Sequence, residues 1–529
     1  MTNPRIMFYH DGRHPLIYMY EPPIQKEEYE AGVDELIGTP VDAIMFRLGD
    51  GRTFLHDTKA GELWGHSMGK WPHLVFKRAH ENARDLIDAG NDPLKIIIDR
   101  AHANGLLLYP TLLVQQGSGV RGVDTRTSDY RLDNKHLEIG AKGDLDKDFR
   151  GNECLDFMHE EVRRERFSII EETLTSYDVD GFELQLNYFP YYFRPEQVDE
   201  GRDVMTEWIR KIYNAVKESG SSRELAIRVP ASVDSCLSLG LDPATWADQG
   251  IVDVIIGQTR SSSESMDPTV NLRPLVEAAS NTMCRVHASI HSRVGSDRLG
   301  QATIEIMRAT ASNYWAQGID GLYLAHWFGN WPYDSTFYEK LREIPYPEVM
   351  AAKDKSYYVP TEMDRFPIPT DGIDPPSQLP VDLEIGELVN IVLPVSDELA
   401  RWDISQRVHE VLLRMRITGT TEQDEFSISL NGHILPDSIL RKINYLYRMS
   451  APRYRVFGYW YIFRLGSELL PVQGDNVIGM TLSRRDTDVS VPVQLRDVEL
   501  DVKYLMGKNF YRGPSFNDSD LGPYEHWAE

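Results

Sequence analysis

Cysteine is scarce: Cys154, Cys236 and Cys284 are odd in number, far apart and without a CxxC pair, which excludes a disulfide scaffold and a zinc ribbon. They read as buried structural thiols. No run reaches the roughly 18 apolar residues that cross a bilayer, so no membrane span is expected. Basic residues are also short. Lys+Arg number 56 against 81 Asp+Glu, a net charge of −25, which argues against nucleic acid or anionic membrane as a partner. The opening MTNPRIMFYHDG has no positive segment followed by an apolar run, so no secretory signal is expected in the chain as written. It is expected in the cytoplasm as written, or in the periplasm or medium if a signal was trimmed.

What is present is a large core, with 41% hydrophobic and 10% aromatic residues in 529. Short apolar runs at 5–10, 41–48, 106–114, 181–188, 224–229, 252–258, 283–291 and 321–327 alternate with stretches in which apolar residues recur every three or four positions, as at 77–104, 157–177, 201–219, 271–280 and 299–317. Eight such repeats predict a (β/α)8 TIM barrel over residues 1–344. Residues 345–380 then carry eight prolines, Pro345, Pro347, Pro360, Pro367, Pro369, Pro375, Pro376 and Pro380, and read as a stiff linker. Period-two alternation takes over in VDLEIGELVNIVL, VHEVLLRMRITG, EFSISLNGHIL, YWYIFRLG, DNVIGMTLSRR and VQLRDVELDVKYL, which predicts an all-β sandwich over 381–505 and an irregular tail over 506–529.

The fourth run is the most informative. In YDVDGFELQLNYFPYYF, Phe182, Leu184 and Leu186 alternate with Glu183, Gln185 and Asn187, so one face is apolar and the other polar. With the apolar set against the helices, the polar set points into the barrel, Glu183 deepest, Gln185 near the rim and Asn187 at the mouth. A buried polar ladder is costly unless it is bonded or serves the open end. The aromatic residues that follow, among them Tyr188 and Tyr191, suit sugar stacking. Arg47, Arg228, Arg285, His287, His291, Tyr323, His326 and Trp327 stand at the ends of other strands and are read as substrate-binding residues.

The helix bearing Val162-Arg163 and Glu165, then Tyr177-Asp178-Val179-Asp180-Gly181 running into Phe182-Glu183-Leu184 and Phe189-Pro190, resembles bacterial glycoside-hydrolase-like (β/α)8 proteins of the family-10-like putative glycosidase kind. Such proteins read D-G-[apolar]-E-[apolar]-[acid] here. The resemblance implies a glycoside hydrolase acting on an oligo- or polysaccharide. This chain departs at one position, Gln185, where the pattern has a carboxylate. An amide cannot act as general acid or base. Two readings stay open: an inactivated variant with Gln185 in place of a catalytic Glu, or a natural Gln that orients substrate while Glu183 does the chemistry. Phe426 to Gly432 and Gly474 to Ile478 likewise resemble the Asn-Gly turn and G-x-N-x-I strand start of galactose-binding-like jelly-roll modules, read here as a packing and oligomer-contact module.

Glycoside hydrolysis needs a second carboxyl about 5 to 9.5 Å from the first. Glu264 is the first choice, with Asp50, Asp11 and Asp234 behind it. The arginines suggest an anionic sugar, uronate or sulfated, unless each pairs with a nearby carboxylate. A polysaccharide lyase using His287, His291, Tyr188 and Arg285, or a non-catalytic glycan-binding barrel, are the alternatives. No metal or other cofactor is expected: His287 and His291 are four apart on a strand, HExxH is absent, and His10, Asp11 and His14 form only a small loop cluster. The long excursion over 117–155 is expected to wall the cleft with Arg121, Arg126 and His136.

Overall fold

In the computed structural model, residues 3–14, 16–115, 119–259, 265–296, 300–361, 377–445 and 458–510 are described. Eight parallel strands, β1 (Ile6–His10), β2 (Ala43–Arg47), β3 (Leu107–Leu113), β4 (Gly181–Gln185), β5 (Glu224–Pro230), β6 (Val254–Gln258), β7 (Arg285–His291) and β8 (Gly321–Ala325), form a closed barrel in sequence order, with β8 beside β1. Every predicted run holds one of these strands. They were visible because a parallel strand is buried on both faces and so is nearly continuous in apolar residues. The described residues contain no helix long and apolar enough to cross a membrane.

The amino-terminal end of the barrel is built on a repeated aspartate. Asp42, Asp180, Asp253 and Asp320 each stand immediately before an even-numbered strand, and each accepts a backbone N–H at the start of the preceding odd-numbered strand: Ile6 at 2.9 Å, Leu108 at 2.8 Å, Leu225 at 2.7 Å and Val286 at 2.8 Å. These amides begin their strands before the ladder supplies a partner, so the carboxylates satisfy donors that would otherwise be left unpaired. Gly181 follows Asp180 for a steric reason. A Cβ there would lie 2.2 Å from the Tyr109 ring and 2.4 Å from the Glu224 carbonyl oxygen.

By contact density the chain divides into two units, one of residues 1–260, 271–289 and 318–338, the other of 261–270, 290–317 and 339–529. The second contains a six-stranded antiparallel sheet ordered β9 (Lys355–Tyr358), β18 (Gln494–Tyr504), β12 (Val408–Thr418), β16 (Tyr459–Arg464), β15 (Leu440–Asn444), with β10 (Val381–Asp382) also on β18. A four-stranded sheet runs β11 (Leu388–Val395), β17 (Gly474–Arg484), β13 (Glu425–Leu430), β14 (His433–Ile434). Leu413, Met415, Leu500 and Val502 of the first sheet and Ile391, Leu393, Ile428 and Met480 of the second share one core, which Ala309 of helix Ile304–Trp315 joins. The Asn-Gly hairpin forms between β13 and β14, with φ of 50° at Asn431 and 82° at Gly432, the positive pair that a tight two-residue turn requires.

One reading needs correction. Residues 345–380 are not linker throughout: β9 lies within them, fully buried and paired along β18. The prolines flank this strand rather than interrupt it, and four residues are too few for alternation to register. All three cysteines are free and buried.

Candidate functional site

The polar ladder of β4 faces into the barrel. Paired residues on neighbouring parallel strands point to the same side, and Thr111 pairs with Glu183 and Gln185 with Arg228. Glu183 is completely buried and its oxygens are fully engaged. Oε1 accepts from Arg228 Nε at 2.8 Å, Oε2 from Thr111 Oγ1 at 2.7 Å, and the Tyr323 hydroxyl reaches Oε2 at 3.0 Å. The Arg228 guanidinium lies 4.6 Å from both the Tyr9 and the Tyr323 ring, which stack on each other, and extends to Gln258 Oε1 at 3.3 Å, which also accepts from Ser289. Burial holds the Tyr323 hydroxyl well above its ordinary pKa, so it donates rather than ionises. Glu183 is therefore the counter-ion of Arg228 and the floor of the site, not a reachable acid, and Tyr323 belongs to that floor rather than to a substrate contact.

Above the floor, Gln185 and Asn187 are buried, and neither Gln185 Nε2 nor Asn187 Oδ1 has a hydrogen-bond partner among the described residues. Of the aromatic run, Tyr188 is 46% exposed and stands edge-on to Phe189. Tyr191 instead packs against Phe149 inside the fold, and Tyr192 donates to the Leu186 carbonyl oxygen, so both are structural.

The other expected residues separate by depth. Arg285 opens β7 at the opposite end of the barrel, bonded to both carboxylate oxygens of Glu224 at 2.6 Å and to the Pro4 carbonyl oxygen, and takes no part in the mouth. The lyase scheme loses its cation there. His287 is fully buried against Gly321, the first residue of β8. Burial, with Arg285 adding to it, pushes its pKa down to about 3. It is a neutral core histidine. Trp327 is completely buried against Phe337, hence structural. His326 is half-buried, in a left-handed conformation at φ 56°, with its ring 5.6 Å from Tyr9. His291 ends β7, buried, and belongs by contact density to the second unit. Asp234 is exposed in the first turn of helix Val233–Ser238. Glu264 lies outside the described residues.

A second cluster lies in the loops after β1 and β2. Asp50 is buried, accepts from Arg13 Nη1 at 2.9 Å and Trp64 Nε1 at 3.3 Å, pairs with Arg47, and has Arg126 at 3.8 Å. Burial works to raise its pKa, but Arg13, Arg47 and Arg126 outweigh it and hold the carboxyl below its usual range. Asp11 behaves alike. Its burial is overcome by His14 and Arg13, which keep it far below an ordinary carboxyl. Both are anions at neutral pH, suited to stabilise charge and not to donate a proton. The 117–155 excursion does reach this cluster through Arg126, whereas Arg121 pairs with Asp129 and Asp133 and His136 is exposed. Arg13, Trp64, Tyr9 and Phe328 were missed from sequence. The run His10-Asp11-Gly12-Arg13-His14 directly after a strand was the available signal for Arg13, while Trp64 follows a small three-stranded sheet, Gly49–Asp50, Thr53–Phe54 and Glu62–Leu63, too short for a pattern.

No protein-family model matches the sequence, and no curated protein does. Solved structures similar in fold include an endo-β-1,4-mannanase from Thermotoga petrophila, 12% identical over 94% of this chain and 97% of that one, with a TM-score of 0.43. The PgaB glycoside hydrolase domain from Bordetella bronchiseptica is 12% identical over 65% of this chain and 99% of its own, with a TM-score of 0.41. A class V chitinase from Pseudomonas fluorescens Pf-5 is 11% identical over 64% and 99%, with a TM-score of 0.36. At such identities no residue role transfers between those proteins and this chain.

Proposed function

We propose that this chain is a carbohydrate-active barrel of the glycoside-hydrolase kind that receives an oligo- or polysaccharide at the carboxyl-terminal ends of its strands. The observation that carries this is the inward ladder: Gln185 Nε2 and Asn187 Oδ1 are buried without hydrogen-bond partners among the described residues, one strand end from an exposed Tyr188. Buried amide groups normally find a partner, and a sugar offers hydroxyls for the amides and a ring face for the tyrosine. The family-10-like resemblance around Gly181 to Gln185 supports the same substrate class. Arg228 carries Glu183 as its counter-ion and Arg285 pairs with Glu224 at the far end of the barrel, so neither offers a free charge to a uronate or sulfated sugar, which favours a neutral one.

In the hydrolytic scheme Glu183 supports the floor, Asp50 or Asp11 supplies the fixed negative charge, and Glu264 is the second carboxyl that the sequence offers. A second reading, a non-catalytic glycan-binding barrel, is favoured by one observation: the ladder position nearest the mouth that the family pattern fills with an acid holds the amide of Gln185. The test is calorimetric titration with manno-, cello- and chito-oligosaccharides and oligogalacturonates, with reducing-end release followed on the same panel. Multiple turnovers remove the binding-only reading, binding without turnover removes the hydrolase, and failure to bind any of them removes both.

A further inference from the structure

Two histidines, His10 at the end of β1 and His14 in the loop after it, are held in opposite tautomers. His10 is buried, and its Nδ1 accepts the Gly12 N–H at 3.0 Å, which places the proton of the neutral ring on Nε2. His14 is different. Its Nδ1 lies 2.7 Å from Asp11 Oδ2, and an ionised carboxylate can only accept, so Nδ1 carries the proton and Nε2 carries the lone pair. Asp11 is well fixed for this purpose: its side chain is 5% exposed, and Oδ1 accepts the backbone N–H groups of Arg13 at 2.9 Å and His14 at 2.8 Å. The His14 side chain, by contrast, is 51% exposed. Its ring stands edge-on to Tyr18 at 4.6 Å and beside Phe328 at 6.1 Å, so aromatic groups from the loops after β1 and β8 border it.

We propose that Asp11 and His14 are a proton-transfer pair at the barrel mouth, His14 Nε2 acting as general base toward a water or sugar hydroxyl and Asp11 as its positioning residue. The proposal rests on the mouth receiving a glycan. In hydrolysis the water O–H bond breaks and the proton passes to Nε2. The water oxygen bonds to the anomeric carbon, the bond from that carbon to the leaving oxygen breaks, and the pair stays on the leaving oxygen. That oxygen takes a proton from solvent, and the imidazolium, stabilised by Asp11, returns its own to solvent. A fixed carboxylate beside Nδ1 is what keeps such an imidazole in the accepting tautomer. The charged or titratable groups around His14 are Asp11 and Arg13 from its own loop, His10 from the end of β1, Tyr18 from helix Leu16–Met19, and His326 beside Phe328.

Imidazole nitrogen NMR of the full chain reads the tautomer directly, with His14 assigned by its loss in His14→Gln. The expected wild-type spectrum has Nδ1 protonated and Nε2 bare, and Asp11→Asn, whose amide N–H faces Nδ1, inverts it. Diethyl pyrocarbonate, which acylates a bare imidazole nitrogen, modifies His14 several-fold faster in the wild type than in Asp11→Asn. On the panel glycan that is turned over, His14→Gln lowers kcat about 10²-fold or more with KM little changed. A wild-type His14 protonated on Nε2, or His14→Gln with unaltered kcat, overturns the pair. Absence of glycan binding by the wild type overturns the proposed function instead, and the NMR and acylation results still decide the tautomer.

Discussion

Glu183 and Arg228 are each other's counter-ions, joined Oε1 to Nε at 2.8 Å in a barrel interior from which both are shut off from solvent. The deepest acid on the ladder is thereby committed to structure. It fixes an arginine against two stacked tyrosine rings, and that arginine in turn holds Gln258 under the mouth.

Removing one member of this pair strands the other in a low-dielectric core, at a cost of about 3–5 kcal/mol. Arg228→Met and Glu183→Gln should each lower the urea midpoint strongly, and the double variant Glu183→Leu with Arg228→Met should lose less than the sum of its parts. A Glu183→Gln protein as stable as the wild type but devoid of turnover would make Glu183 catalytic after all.

Gln185→Ala should weaken glycan binding by about 0.5–1.5 kcal/mol, the net worth of one hydrogen bond, and leave the unfolding midpoint nearly unchanged because the amide nitrogen bonds nothing among the described residues. Calorimetry beside thermal unfolding separates the two effects. A large loss of stability with unaltered affinity would take Gln185 out of the binding surface.

Acid should destabilise the fold earlier than carboxylates alone require. Burial lowers His287 to about 3 and His10 to about 4, against an ordinary 6.5. Between these values and 6.5 the unfolded chain binds more protons, so stability is complete above about pH 6.5 and declines as pH falls through that window. Each histidine contributes up to about 1.4 kcal/mol per pH unit there. Urea midpoints measured from neutral to mildly acid pH should show the slope, and His287→Asn should flatten it. An unchanged slope in that variant would mean that His287 does not stay neutral in the fold.

Gly181→Ala should cost at least about 1–3 kcal/mol, since the added methyl meets the Tyr109 ring and the Glu224 carbonyl oxygen inside van der Waals contact. Asp180→Ala, which strips the Leu108 N–H of its acceptor, should cost about 1 kcal/mol. Comparison of melting temperatures checks both, and an undisturbed Gly181→Ala protein would mean that β4 can shift at its start.

Much of this was legible in the residues themselves. Runs such as 106–114 and 252–258 announce doubly buried strands, and the alternation through Glu183, Gln185 and Asn187 fixes which side chains enter the barrel. Whether an inward arginine is available to a substrate is not a local property. Arg228 meets Glu183 across neighbouring strands, and Arg285 meets Glu224 two strands away, so each neutralisation exists only in the closed barrel. Aromatic residues are ambiguous for the same reason: Tyr188 and Tyr191 belong to one run, yet one is exposed and the other is buried on Phe149. Strand β9 escaped because its four residues sit among prolines.

The aspartates at the amino-terminal end have a consequence for how the barrel could be cut and rejoined. Each clamps an even-numbered strand's start to the odd-numbered strand before it, so β1–β2, β3–β4, β5–β6 and β7–β8 are stapled pairs, and no such staple runs from β2 to β3, β4 to β5 or β6 to β7 among these four. New termini opened between β4 and β5 would leave two clamps in each half. A circular permutant or a half-barrel exchange made at that seam should keep its strand starts in register, while one made between β3 and β4 would sever a staple.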